Sequence, residues 1–237
     1  LPLLEVNNLY GRGVRNVSFK LHKGEILGVG GLSDCGMHDV GKVLFGLLKP
    51  ETGEVLKDQK EPVKSASWAV RHGIGYVSKN RDQESLMLIS SIADNICLPS
   101  LKDLTPFGPI SDRKQKQLAE KWSERMEVKA DSVKVFCNTL SGGNKQKVVL
   151  AKWLGKGSDI MILDCPTRGI DVGTKAAIYQ LIMQMKEEGK SILLISEELQ
   201  ELIGMSDRIV LLRDGAVSGE FLRNEGLTEA KLIQKMI

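Results

Sequence analysis

Aromatic residues make up only 5% of this 237-residue chain, and its charges nearly cancel, with 33 basic against 30 acidic residues. Proteins that bind nucleic acid usually combine a basic stripe or patch with aromatic side chains on which bases stack. Both features are weak here, which argues against a dedicated nucleic-acid surface. The basic residues in the middle of the chain are instead interpreted as a solvated helix face: Lys102, Arg113, Lys114, Lys116 and Lys121.

Long apolar runs are missing, and cysteine is rare. No segment approaches the roughly 20 apolar residues that a membrane-spanning helix needs. The four cysteines lie far apart, without the spacing of a metal site, and are expected to be reduced thiols: Cys35, Cys97, Cys137 and Cys165. With 42% hydrophobic and 27% charged residues, the composition is that of an ordinary globular chain.

Short runs of apolar and β-branched residues, separated by turn signals, predict β-strands at 3–6, 17–21, 26–29, 74–77, 160–163, 191–195 and 209–212. Asp214-Gly215 predicts a hairpin turn after the last of them. Apolar residues at helical spacing predict helices that include 40–47, 118–126 and 178–185, the second with Asp112 as its N-cap. Strands and helices alternate after Asp159, which predicts an α/β fold with a mostly parallel sheet covered by helices.

The loop after strand 26–29 has the layout of a phosphate-binding loop. Gly31 and Gly36 keep the glycine spacing of the motif G-x-x-x-x-G-K-[ST]. Met37 stands where this motif has lysine, and His38 stands where a Ser or Thr hydroxyl would bind Mg²⁺. Asp34 adds a negative charge that opposes a triphosphate. A degenerate phosphate site and a glycine-rich turn that binds nothing explain the loop by itself equally well.

Two further segments point to nucleotide chemistry. Residues 140–147 read LSGGNKQK, and a Ser-Gly-Gly turn that opens a helix presents backbone N–H groups, a hydroxyl and a helix N-terminus to an anion. The apolar run 159–163 ends on Asp164, where a nucleotide site keeps the carboxylate that holds its metal.

In this order, these motifs resemble the signature and Walker B segments of ABC-type ATPases. Residues 3 to about 221 resemble the second, C-terminal ATP-binding half of a ribose-type sugar importer of that family. The phrases that carry the resemblance are GVRNVSF at 13–19, KGEILGV at 23–29, GIGYVS at 73–78, LSGGNxQK at 140–147, PTRGIDVG at 166–173 and GMSDRI at 204–209. The resemblance implies a single ABC nucleotide-binding domain over 1–237. It has a P-loop core with a mostly parallel sheet, an N-terminal antiparallel β-subdomain and an inserted helical subdomain at 84–147.

The resemblance also implies how the site residues work. In ABC dimers the signature covers the γ-phosphate held by the partner's P-loop, and the D-loop crosses the interface. The residues that match these trans-acting positions are Ser141, Gly142, Gly143, Asn144 and Asp171. This domain's own pocket would bind ATP weakly through Gly31, Ser33, Gly36 and Asp164, with Asp164 as a weak metal ligand and Mg²⁺ weak or absent.

The chain departs from the ABC pattern where catalysis takes place. The departures are Met37, His38, Lys79 in place of a Gln or Glu that contacts Mg²⁺, and Cys165 in place of the general base Glu. Glu197, where most ABC domains have a γ-phosphate-sensing His, is usual for this subgroup. A thiol is mostly protonated at neutral pH and orients water poorly. The alternative is that Cys165 acts as a nucleophile. This role needs a neighbouring base such as histidine, and none of the three histidines lies nearby in the sequence.

The resulting prediction is one half of an importer's ATP-binding subunit that is inactive as an isolated domain and donates its signature to the other half. Its implied partners are an N-terminal ATP-binding half on the same polypeptide, an integral membrane permease and, indirectly, an extracytoplasmic solute-binding protein, with no nucleic acid. The implied location is the cytoplasmic face of the membrane. Because the chain begins at Leu1 rather than Met, we expect it to be a piece of a two-half polypeptide.

Two alternatives and the cargo stay open. One alternative is a soluble ABC-type ATPase that acts on nucleic acid, which would need a basic surface stripe. The other is a purely structural half that binds no nucleotide. The departures also leave room for a cargo other than a sugar, such as a nucleoside.

Overall fold

The computed structural model describes residues 2–105, 110–223 and 226–236, and they form two compact units. The first, here called the sheet unit, comprises Leu1–Tyr76, Ile160–Cys165 and Met183–Ile237. The second, here called the helical unit, comprises Val77–Asp159 and Pro166–Ile182. Among the described helices, none combines the length and hydropathy that crossing a membrane requires.

A four-stranded antiparallel sheet begins the sheet unit. Its strands are β1 (Pro2–Gly11), β2 (Val14–His22), β4 (Thr52–Lys57) and β5 (Glu61–Pro62), in the order β2-β1-β4-β5. Strands β1 and β2 are longer than predicted, because the ladder of backbone hydrogen bonds runs up to the turn at Arg12 and Gly13. Both turn residues have positive φ, 49° and 81°, as a type I′ hairpin requires.

The second sheet carries the nucleotide-type motifs. Its strands are β3 (Ile26–Gly31), β6 (Ile74–Val77), β7 (Ile160–Asp164), β8 (Ser191–Ser196), β9 (Arg208–Arg213) and β10 (Ala216–Leu222). The order is β10-β9-β3-β8-β7-β6, with β3 parallel to β8 and β9, and β7 parallel to β8. The predicted mostly parallel sheet is confirmed. So is the hairpin at Asp214 and Gly215, whose φ values are 48° and 82°.

In its described residues, the sheet unit has the helices α1 (Met37–Leu44), α2 (Ala66–Arg71), α8 (Leu199–Met205) and α9 (Glu229–Met236). Helix α1 packs closely on the sheet, because a Cβ on Gly41 would come 2.6 Å from Ile195 Cδ1. The prediction that α1 includes Leu47 is wrong. The helix ends at Leu44, Gly46 adopts a positive φ of 77°, and the side chain of Leu47 is 50% exposed.

The helical unit contains a π-helical turn (Arg81–Ser85) and the helices α3 (Ile92–Cys97), α4 (Leu101–Leu104), α5 (Asp112–Arg125) and α6 (Gly142–Gly155). Helix α7 (Val172–Glu187) begins in it and ends in the sheet unit. The prediction that Asp112 is the N-cap of α5 is wrong. Ser111 takes this role because its hydroxyl accepts a hydrogen bond from the Lys114 amide, which leaves Asp112 in the first turn.

Candidate functional site

The glycine-rich loop joins β3 to α1 as predicted. Gly31 ends the strand, and a Cβ at this position would lie 2.4 Å from Cys35 Sγ, so the loop folds tightly against the strand end. Gly36 precedes the helix with φ 91°, a conformation that favours glycine. Ser33 is exposed on the loop. The strand, loop and helix therefore have the geometry of a phosphate-binding loop.

The residue in the lysine position of the motif is part of the core. Met37 is fully buried, with 0% of its surface exposed, as the first residue of α1. A thioether in this place packs as a core side chain and carries no charge. In the P-loop motif, the lysine at this position reaches the β- and γ-phosphates.

The next side chain, His38, joins two carboxylates. Its Nδ1 lies 2.7 Å from Asp164 Oδ1, and its Nε2 lies 3.1 Å from Glu197 Oε1. Asp164 ends β7 and Glu197 directly follows β8, the neighbouring parallel strand. Because both strands end at the same edge of the sheet, their carboxylates meet beside the N-terminus of α1.

Tyr76 completes this cluster, and sequence reasoning missed it. Its hydroxyl donates a hydrogen bond to Asp164 Oδ2 over 3.1 Å, so both oxygens of this fully buried side chain have a hydrogen-bond partner in the protein. The signal was a tyrosine in an otherwise apolar strand, because a buried tyrosine hydroxyl needs a polar partner. We call His38, Asp164, Glu197 and Tyr76 the P-loop cluster.

Cys165 lies beside the P-loop cluster. Its Sγ, a ring nitrogen of His38 and a carboxylate oxygen of Asp164 all lie within 4.8 Å of one another, and the sequence spacing concealed the approach of His38. Burial, reinforced by the charges of Asp164 and Glu197, raises the pKa of the Cys165 thiol to about 12. The thiol therefore stays protonated at neutral pH, and it is neither an activated nucleophile nor a general base.

The signature segment forms the start of α6 in the helical unit. Ser141 is the N-cap, and its exposed hydroxyl oxygen accepts hydrogen bonds from the amide N–H of Asn144 (3.4 Å) and from its side-chain Nδ2 (3.0 Å). Gly142 and Gly143 form the first turn. A Cβ on Gly143 would come 2.2 Å from Thr174 Cγ2, so the turn approaches the start of α7 more closely than any side chain would allow.

Asp171 caps α7 in this same unit. Its Oδ1 accepts a hydrogen bond from the Thr174 amide (2.9 Å) and its Oδ2 accepts one from the Thr174 hydroxyl (2.7 Å). These bonds lower the pKa of the Asp171 carboxyl. Gly143 and the Asp171 cap therefore meet at one side chain, Thr174, although they lie about 30 residues apart in the chain.

Lys79 also lies in the helical unit, just before the π-helical turn. Arg81, which the sequence did not single out, points toward the signature turn. Its Nε donates to Asp82 Oδ1 (3.0 Å), its Nη1 donates to Gln146 Oε1 (3.4 Å), and its Nη2 lies 3.5 Å from where a Cβ of Gly142 would be. A positive charge therefore borders the signature turn.

The comparisons with known proteins agree with these motifs. A family model described as ABC transporter matches residues 14–168. The ribose import ATP-binding protein RbsA of Bacillus subtilis is 40% identical over 229 residues, which are 96% of this chain and 46% of that protein. Its counterpart in Lacticaseibacillus paracasei is 43% identical over 219 residues, 91% of this chain and 44% of that protein. The chain thus spans about half the length of the curated relatives it matches.

Solved structures of ATP-binding cassettes share the fold. One cassette of an ABC transporter in its ADP conformation aligns with a TM-score of 0.82 at 18% identity, over 99% of this chain and 98% of that one. A dimeric cassette bound to ADP and phosphate aligns with a TM-score of 0.80 at 24% identity, over 93% and 98%. Because the family model covers more than half of the chain and the sheet, loop and signature geometry agree with it, this chain belongs to the ABC transporter family of ATP-binding domains.

Proposed function

We propose that this chain is the second ATP-binding half of a sugar importer's ATPase subunit and acts as a donor half. In this role it supplies Ser141, Gly142, Gly143, Asn144 and Asp171 to an ATP site whose P-loop belongs to the first half. Its own P-loop pocket does not hydrolyse ATP. The observation that carries the proposal is a contrast between two motifs of the chain. The signature turn keeps its serine and both glycines, whereas in the P-loop Met37 is buried and His38 contacts two carboxylates.

The P-loop side of this contrast rests on what the side chains contact. Domains of this family bind ATP together with Mg²⁺. In this chain Met37 is buried in the core, His38 binds the carboxylate that would hold the metal, and the Cys165 thiol is held protonated. Residual ATP contacts are limited to backbone N–H groups around Gly31, Ser33 and Gly36.

The signature side is preorganised. The Ser141 hydroxyl is exposed, the first turn of α6 is free of side chains at two positions, and Arg81 adds a positive charge beside them. Donors that are fixed before the reaction and aimed at developing phosphate charge are worth about 10²–10³ each in rate. This arrangement suits a γ-phosphate that another P-loop holds.

The relatives supply the rest of the proposal. They are named as ribose import ATP-binding proteins and are about twice as long as this chain. We therefore place a first ATP-binding half on the same polypeptide, a membrane permease as the docking partner and an extracytoplasmic solute-binding protein upstream of it. The cargo is a monosaccharide of the ribose type, and the subunit works at the cytoplasmic face of the membrane.

A transport assay tests the donor role. In the two-half polypeptide, reconstituted with its permease in vesicles, Ser141→Arg places a bulky side chain where the partner's γ-phosphate must sit, and uptake should fall to background. Ser132→Arg is the matched control, because Ser132 is an exposed serine of the same unit outside the signature turn. Cys165→Ala should leave uptake near the wild-type rate.

Two outcomes would contradict the proposal. Normal uptake by Ser141→Arg would show that the signature of this half is not used. Loss of uptake in a folded Cys165→Ala variant would show that the P-loop pocket of this half takes part in catalysis.

A further inference from the structure

We propose that the His38 side chain occupies the magnesium position of the P-loop pocket, so that the residues of this pocket do not fit Mg²⁺. The inference goes beyond the proposed function, because it holds or fails whether or not the signature is donated to a partner.

The first step is the place of His38 in the loop. It is the second residue of α1 and follows Gly36 by two positions, where the P-loop motif has the hydroxyl that binds Mg²⁺. Asp164, at the end of β7, is the carboxylate that would be the other protein ligand. The structure brings these two side chains into direct hydrogen-bond contact at 2.7 Å, so the position between them is taken by the ring.

The second step is the place of the ring. Its Nδ1 contacts Asp164 and its Nε2 contacts Glu197. The side chain therefore fills the space between two carboxylates at the end of the sheet, beside the N-terminus of α1.

The third step is what remains for a metal. Asp164 is fully buried, and its second oxygen accepts a hydrogen bond from the Tyr76 hydroxyl. Mg²⁺ demands oxygen ligands in near-octahedral geometry at 2.0–2.1 Å. The P-loop cluster offers a nitrogen in place of the hydroxyl and a carboxylate with both oxygens already bonded. These residues do not fit Mg²⁺.

A softer metal is the competing explanation. His38, Asp164 and Cys165 together present nitrogen, oxygen and sulfur atoms within 4.8 Å of one another, a donor set that suits Zn²⁺. Binding it would require the His38 ring to turn a nitrogen away from its carboxylate partner. Because both ring nitrogens already contact a carboxylate, these contacts account for the geometry without an ion.

Electron paramagnetic resonance with Mn²⁺, a magnetic substitute for Mg²⁺, tests the inference on this chain. The wild type should not bind Mn²⁺ at the P-loop cluster. His38→Thr restores a hydroxyl and frees Asp164, and should bind Mn²⁺ at least about tenfold more tightly, the factor given by one added interaction. Adding Asp164→Asn to His38→Thr should abolish the gain. His22→Thr is the matched control, because His22 also pairs with a glutamate of the sheet unit but is far more exposed.

A second measurement does not depend on how well a variant folds. In nitrogen NMR of the wild type, the ring signals of His38 should stay unchanged when Mg²⁺ is added. Ring signals that move with Mg²⁺ would overturn the inference. So would Mn²⁺ binding to the wild type that Asp164→Asn removes, a folded His38→Thr variant that gains no Mn²⁺ affinity, or Zn²⁺ binding that moves the ring signals.

Discussion

The hydroxyl of Tyr76 in β6 donates a hydrogen bond to Oδ2 of Asp164 in the neighbouring strand β7, over 3.1 Å. Tyr76 also stacks on Phe45, with ring centroids 5.4 Å apart. Tyr76→Phe keeps the stacking but leaves one oxygen of a buried carboxylate without this donor. We expect the free energy of unfolding to fall by about 1–3 kcal/mol, measured by urea denaturation.

The control for this substitution is Tyr10→Phe, because Tyr10 is 43% exposed. Its stability should change by less than about 0.5 kcal/mol. If both variants lose the same free energy of unfolding, the hydrogen bond from Tyr76 to Asp164 does not stabilise the fold.

The signature turn should not tolerate a methyl group at Gly143. Gly143→Ala would place Cβ 2.2 Å from Cγ2 of Thr174, whose hydroxyl is held by Asp171. The crowding should lower the free energy of unfolding by about 1–3 kcal/mol, and the circular dichroism melting curve should move down. Gly204→Ala is the control, because no atom lies within 4 Å of its added Cβ and it sits in helix α8. A Gly143→Ala variant as stable as Gly204→Ala would contradict the packing described at α6.

Lys152 should make stability rise with pH in a narrow window. It is buried in the helical unit, its Nζ donates to the Ser85 carbonyl at 2.5 Å, and burial lowers its pKa from 10.5 to about 8. Between these values the folded chain has released the proton while the unfolded chain still binds it. Stability from this group therefore increases as pH rises above 8, by at most about 1.4 kcal/mol per pH unit.

Comparing wild type with Lys152→Met isolates this effect. The difference in unfolding free energy should shift in favour of the wild type between pH 8 and 9. The nearby Cys137 thiol, whose pKa burial raises to about 11, is present in both variants. The same comparison for the exposed Lys102→Met should be flat with pH. A flat difference for Lys152→Met would show that its ammonium group is not buried as described.

The chain alone should not hydrolyse ATP above background. It lacks a lysine at the P-loop, where Met37 is buried, and it lacks a carboxylate base at Cys165. Each missing group is worth on the order of 10²–10³ in rate, although the losses do not simply multiply. A coupled phosphate-release assay measures this, with Asp164→Asn purified in parallel to report contaminating ATPase. Turnover of about 1 s⁻¹ in the wild type but not in that variant would refute the expectation.

Local signals in the sequence were sufficient for much of the fold. The strand 74–77 is found with these bounds, and the glycine spacing of 31 and 36 marks a real strand, loop and helix. Asp214-Gly215 makes its hairpin, and Ile178, Leu181, Ile182 and Met185 are buried on α7. These features depend on φ preferences and on the periodicity of side chains along one element. The sequence did not identify the right residue where two neighbours suit the same role. Serine and aspartate are both favoured N-cap residues, and Ser111 rather than Asp112 caps α5.

The sequence by itself determined the family, the order of the elements and which residue types stand at the motif positions, because motifs and periodicity are properties of short segments. Only the tertiary structure decided what these residues contact. His38 is separated from Asp164 by 126 residues and from Glu197 by 159, and no local pattern predicts that they meet. They meet because β7 and β8 are adjacent and parallel and α1 starts at the same sheet edge. A buried carboxylate placed there needs hydrogen-bond partners, and the fold supplies one of them from the start of α1.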